Sequence, residues 1–158
     1  MAATTTRELR SPPATLALLA RAAVPLVPLA SRLPFVAGGG GDLPAVELVL
    51  RDARADRDAL AAYARVCGFP LRDALPATYP HVLAFPLQLA LMTDARFPFA
   101  AVGLVHVANA ITVHRPVDAG EALTLSVRAG DLRPHPRGRT FALRTEARAG
   151  DEVVWEET

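Results

Sequence analysis

The chain has 158 residues, 51% of them apolar, and a formal net charge of +1, which fits one domain, or one domain with a tail, around a real core. Near-neutral charge leaves no electrostatic footprint for nucleic acid or an acidic membrane surface. Every basic residue is Arg, which excludes Schiff-base lysines and a phosphate-loop lysine, and the single Cys67 excludes an internal disulfide or a cysteine-based zinc site.

Residues 1–10 have no periodicity and read as a loose end. Ser11 followed by Pro12 and Pro13 predicts a helix start, with helix-friendly residues over 15–23 and Pro25 and Pro28 ending it. The apolar run over 16–30 is interrupted by Arg21, and its charge-free pieces fall short of the ~20 residues a membrane span needs. Glu8 and the prolines also argue against a signal peptide. The segment is therefore expected to pack or cap, with no membrane role. The glycines over 38–41 lack the flanking strand and Gly-Lys-Ser/Thr pattern of a phosphate loop and read as a linker. Residues 1–42 are thus a flexible or helical extension, and 43–158 the folded domain.

Residues 45–50 alternate, with Val46, Leu48 and Leu50 on one face of a short strand. Asp56 is placed to cap a helix whose apolar stripe is Leu60, Tyr63, Ala64 and Val66/Cys67, with Gly68 closing it. Residues 82–92 are apolar almost all the way round, with Gln88 the only strongly polar member, the pattern of a helix wrapped on every side. Pro86 falls inside that pattern and fits only if the helix begins around residues 83–85, where a missing N–H costs nothing. Tyr79, Pro80 and His81 then stand at the mouth of the helix. A long β-rich run is predicted over 102–114, with Val105, Val107, Ile111 and Val113 on one face and His106, Ala108, Thr112 and His114 on the other. After the Asp118–Glu121 turn come alternating strands from Leu123, from Phe141 and from Val153, the first two joined by a turn at 133–138. A meander of strands behind one core helix makes an α+β domain, an antiparallel sheet curled around a central helix. The final strand stops at Thr158, so a last hydrogen-bonded strand is expected to be missing.

The segments Tyr63–Gly68, Tyr79-Pro80-His81-Val82-Leu83-Ala84-Phe85-Pro86, Gly103–Val107, the strand ending His114-Arg115-Pro116 and the closing Val153–Thr158 resemble a hot-dog domain. Specifically, they resemble the N-terminal half of a MaoC-like acyl dehydratase, the family of (R)-specific enoyl-CoA hydratases and 3-hydroxyacyl-thioester dehydratases of fatty-acid metabolism. In that family a double hot-dog chain carries its chemistry in the C-terminal half, where a catalytic Asp follows a Tyr-x-x-x-Ser-Gly-like helix end and a catalytic His lies five positions later. Carried onto this chain those positions are Phe69 and Ala74, and neither transfers a proton. The His-Gly that opens the family's central helix appears as His81-Val82. The resemblance implies a substrate-binding half without catalytic residues of its own. It would line an acyl tunnel with Tyr79, His81, Val82, Phe85, Gly103 and His106, and use no cofactor or metal. Its partners would be an acyl-CoA or acyl-carrier-protein thioester and a catalytic hot-dog domain, or a second copy of itself, in the cytoplasm.

Reversible hydration of a 2-enoyl thioester needs a base for water, an acid for the α-carbon and donors for the enolate-like oxygen. A helix start at 81–85 offers amides. Asp73 and His81 are the nearest acid–imidazole candidates, eight apart across a proline-containing loop. His106 and His114, eight residues apart on one strand face, would lie about 26 Å from each other and ligate no common metal. His135 and the Arg133, Arg137 and Arg139 cluster read as a solvated turn, with a phosphate contact as the sharper alternative. Cys67 at a helix C-terminus reads as inert. Two other classes stay open: a hot-dog acyl-CoA thioesterase, with Asp73 as the nearby carboxylate, and a purely structural assembly module.

Overall fold

The computed structural model describes residues 4–24, 37–38 and 40–158. In chain order the elements are β1 (Thr5–Leu9), α1 (Thr15–Ala23), β2 (Val46–Ala53), α2 (Arg57–Cys67), α3 (Tyr79–Met92), β3 (Ile111–Val113), β4 (Leu123–His135), β5 (Gly138–Ala149) and β6 (Glu152–Glu157). The strands form one six-stranded sheet in the order β1-β2-β4-β5-β6-β3. All neighbours pair antiparallel except β1, which runs parallel to β2. The loose end expected over residues 1–10 therefore contributes an edge strand. Its register, Thr5 opposite Val46 through Leu9 opposite Leu50, supplies the backbone partners that β2 lacks on that side.

The sheet bends where its register breaks. Irregularities fall between Leu50 and Ala53, between Gly130 and Arg133, and between Ala147 and Arg148. Asp52 and Asp131 lie within the first two and take positive φ, 54° each, a conformation that Asp tolerates better than most residues. Bulges of this kind add twist and curl a sheet, and the inner face closes on α3. Leu48, Leu50, Leu123, Leu125, Val127, Ala147, Val154 and Trp155 meet Ala84, Leu87 and Leu91 of the helix and Phe97 beyond it. Leu87 is 0% exposed, and burying each such leucine is worth about 1.5–3 kcal/mol.

The central helix differs from expectation in two ways. It begins at Tyr79, with Pro80 in its first turn, so Pro86 lies in its interior. The carbonyl that loses its helical donor belongs to Val82, a residue that is 40% exposed. The helix is also not wrapped on every side. Tyr79, Pro80, Ala84, Leu87, Gln88, Leu89 and Leu91 are buried, whereas Leu83, Phe85 and Pro86 are half-exposed.

Helix α2 follows its sequence signals at both ends: Asp56 accepts from the Ala59 amide at 2.8 Å, and Gly68 closes in the left-handed region. Its stripe is narrower than predicted, since Leu60 and Ala64 are buried but Val66 and Cys67 are exposed. Helix α1 starts after Pro13, with Ala14 and not Ser11 at its cap. The predicted stop at Pro25 and Pro28 lies outside the described residues, as does Gly39. Gly38 and Gly40 donate backbone hydrogen bonds to Phe97 and Pro98. No helix of the described residues is long and apolar enough to cross a membrane.

The largest departure is at 102–110. This predicted strand has no regular structure, and only Ile111–Val113 joins the sheet, as β3 beside β6. Val105 and Val107 are 81% and 75% exposed. The physical reason is position. The segment runs beyond the sheet's last strand, so its β-favouring side chains have no neighbouring strand to pair with.

Candidate functional site

The first turn of α3 is the point where chemistry-bearing residues converge. Thr78 precedes it but makes no capping bond, because its hydroxyl lies 2.6 Å from that of Tyr63. The Tyr79 amide donates to the Pro76 carbonyl, and Pro80 has no N–H. The open amide of the turn is therefore that of His81, since the Val82 amide makes the first intrahelical bond to the Thr78 carbonyl. The loop leading in is pinned by Trp155, whose indole N–H donates to the Ala77 carbonyl at 2.7 Å. Tyr79 is buried, with its ring edge-on to Tyr63 at 5.2 Å. Burial, aided by the Asp56 charge, pushes its phenol above the ordinary range.

Beside that turn an acid and an imidazole meet. His81 Nδ1 lies 2.8 and 2.9 Å from the two carboxylate oxygens of Glu157, the last residue of β6. Asn109 donates to Glu157 Oε1 at 2.7 Å, and Gln88 to Oε2 at 3.0 Å. The second Gln88 amide hydrogen goes to Thr145 Oγ1, also 3.0 Å away. Gln88, Thr145 and Glu157 are all buried. Burial alone would raise the Glu157 carboxyl, but the donors from His81, Asn109 and Gln88 outweigh it and hold the group below its ordinary value. The carboxylate is thus ionised and accepts only, so His81 Nδ1 must carry a hydrogen. Nε2 is left as the working nitrogen, on a side chain one-third exposed, with no hydrogen-bond partner among the described residues.

This arrangement corrects the expected Asp73–His81 neighbourhood. Asp73 is an exposed loop residue whose backbone carbonyl accepts from Ala119. Of the six residues predicted to line the substrate, the structure gathers Tyr79, His81, Val82 and Phe85 on the start of α3, the Phe85 ring 6.1 Å from that of His81. Gly103 and His106 fall in the exposed segment instead, where Gly103 has φ 100° and the His106 ring bonds to the nearby Ala108 carbonyl. His114 pairs with Glu156 on the outer face. His135 and Arg137 stay exposed on the β4–β5 hairpin. Arg139 is engaged by the fold, donating to the Gly41 carbonyl and lying 4.7 Å over the Phe99 ring. No group of three or more His, Cys, Asp and Glu is placed to hold a metal among the described residues. A shallow concavity of about 560 Å³ lies on the outward face of the sheet. Its arginines 51, 128 and 148 alternate with Glu47, Glu146 and Asp151, a mixed-sign lining.

Sequence reasoning missed Glu157, Asn109, Gln88 and Thr145 as one network. The signal was available for one of them. Trp155 faces the core, so two residues on Glu157 must face it too, and an inward Glu demands partners. Asn109 had no such signal, because it lies in a segment predicted to be a regular strand.

No protein-family model matches the chain. The chain is 38% identical over 136 residues to 3-hydroxyacyl-thioester dehydratase X of Mycobacterium tuberculosis, covering 86% of this chain and 45% of that protein. The crystal structure of HtdX from the same organism superposes with a TM-score of 0.67 at 38% identity, over 70% of this chain and 48% of that one. The chain has the hot-dog fold of these dehydratases. A truncated HadBC (3R-hydroxyacyl-ACP dehydratase) complex, also of M. tuberculosis, shares the fold with a TM-score of 0.57 at 19% identity, over 74% of this chain and 94% of that one. The chain spans about half the length of the dehydratase it matches. At the positions that the family resemblance assigns to the catalytic Asp and His, Phe69 stacks on Tyr63 at 6.1 Å and Ala74 bridges to Asp118.

Proposed function

We propose that this chain is the acyl-thioester-binding half of a 3-hydroxyacyl-thioester dehydratase and works paired with a second hot-dog domain that carries the catalytic Asp and His. The observation that carries the reading is the 38% identity, over most of this chain, to 3-hydroxyacyl-thioester dehydratase X. Apolar Phe69 and Ala74 at the two proton-transfer positions support a binding rather than a turnover role. The sheet supports pairing. Strand β3 has a neighbour on one side only, and the adjacent Val105 and Val107 present apolar side chains outward, the kind of edge that proteins cover or pair. HadBC, a complex by its name, is the pattern we extend to this chain. The thioester, on CoA or a carrier protein, would lie at the start of α3 among Tyr79, His81, Val82 and Phe85. Exposed, unpaired Cys67 is in keeping with the reducing cytoplasm.

A thioesterase is the weaker reading. It needs a carboxylate presented to substrate or water, and Glu157 is 6% exposed with both oxygens engaged, while Asp73 stands away on its loop. The test is size-exclusion chromatography and hydration of crotonyl-CoA, for the chain alone and mixed with a catalytic hot-dog half. The expected result is a mixed complex that turns over and a chain that alone does not. Robust hydration by the chain alone, or thiol release from acyl-CoA, would overturn the proposal.

A further inference from the structure

The His81–Glu157 pair has an asymmetry that a purely structural contact does not require. All the buried partners lie on one side of the ring. Glu157 spans Nδ1 with both oxygens, and it is itself fixed from behind by Gln88, which Thr145 anchors, and from the flank by Asn109. These groups come from α3, from β5 and β6, and from the segment before β3, so the ring is oriented by the tertiary fold rather than by its own helix. The hydrogen on Nδ1 makes the neutral ring's Nε2 an acceptor, and Nε2 is the nitrogen left without a partner among the described residues.

We infer that His81 is a specificity-determining contact that accepts a hydrogen bond from the 3-hydroxyl of a 3-hydroxyacyl thioester, with Glu157 as the positioning residue that fixes its tautomer. The inference rests on the acyl-thioester reading above and deepens it. Of the two ends of a dehydration, the 3-hydroxyacyl thioester has an O–H donor at the β-carbon and the 2-enoyl thioester has none. A lone acceptor at the helix mouth therefore distinguishes them. This half would hold the hydroxylated form in preference to the unsaturated or saturated acyl chain, independently of where the proton transfer takes place.

The experiment measures binding of the full 158-residue chain to 3-hydroxybutyryl-CoA, crotonyl-CoA and butyryl-CoA by calorimetry. It also records histidine ¹⁵N chemical shifts of the unliganded chain near pH 7.5. The expected result is a preference for 3-hydroxybutyryl-CoA of about five-fold, the size of one net hydrogen bond. His81→Phe should abolish the preference, read as the ratio of the affinities for 3-hydroxybutyryl-CoA and butyryl-CoA. In Glu157→Gln the preference should fall, and the His81 shifts should move from a single Nδ1–H tautomer toward a mixture. Equal affinity of the wild-type chain for all three thioesters, or an Nε2–H tautomer in its spectrum, overturns the inference and leaves the binding-half reading standing. Failure to bind any of the three sinks both. The tautomer measurement needs no substitution, so it decides even if a variant fails to fold.

Discussion

Helix α3 and the segment over 102–110 read alike in sequence and end differently in space. Both are apolar runs, and both looked like parts of the core. The helix lies in the bend of the sheet, where Leu87 and Ala84 are fully buried. The second run passes the last strand and leaves Val105 and Val107 in the open. Hydropathy records that a segment favours burial; it does not record whether the same chain supplies the cover. At Val105 and Val107 the described residues supply none, and the apolar side chains stay exposed.

The comparison is most strongly tested in the helix. Leu87→Ala is expected to cost about 2–5 kcal/mol of unfolding free energy, read as a lower urea midpoint at unchanged slope. A cost under 0.5 kcal/mol would mean that the helix is not the core. Next comes the polar network that joins the two regions, because Asn109 of the exposed segment reaches the same carboxylate as Gln88 of the helix. Glu157→Gln should cost about 1–3 kcal/mol. The sign with pH follows from the lowered carboxyl of the folded chain. Its contribution is full above the unfolded value of about 4.3 and is lost as the pH falls through the lower, folded value. Urea melts between pH 6 and pH 3 should therefore show a shallower acid loss in Glu157→Gln than in the wild-type chain. The smallest effect on stability belongs to the exposed run. Val105→Ser with Val107→Ser should shift the unfolding free energy of the isolated chain by no more than about 0.5 kcal/mol, yet weaken association with a hot-dog partner in sedimentation or size-exclusion. A large loss of monomer stability there would erase the distinction between the two regions.

Much of the architecture was legible from local chemistry. Asp56 and Gly68 mark the ends of α2 because a cap and a left-handed closing residue act within a few positions. The faces of β2 and β4 follow from the alternation of Val46, Leu48 and Leu50 and of Leu123, Leu125 and Val127, since a strand has period two whatever it packs against. The central helix was visible in its composition, although Pro86 misled its start: the proline rule is local, and here exposure at Val82 overrides it. The candidate site was half legible. His81 stood out at the helix mouth, but its acid lies 76 residues away in sequence.

The sequence by itself determined an α+β chain with one oily helix and a meander of strands, because each of these depends on neighbours a few residues apart. Only the tertiary structure decided that Thr5–Leu9 extends the sheet, that Val105 and Val107 stay uncovered and that Glu157, Gln88, Thr145 and Asn109 close around His81. Those outcomes depend on which strand lies beside which and on how far the sheet bends, and long-range contacts of that kind have no periodicity along the chain.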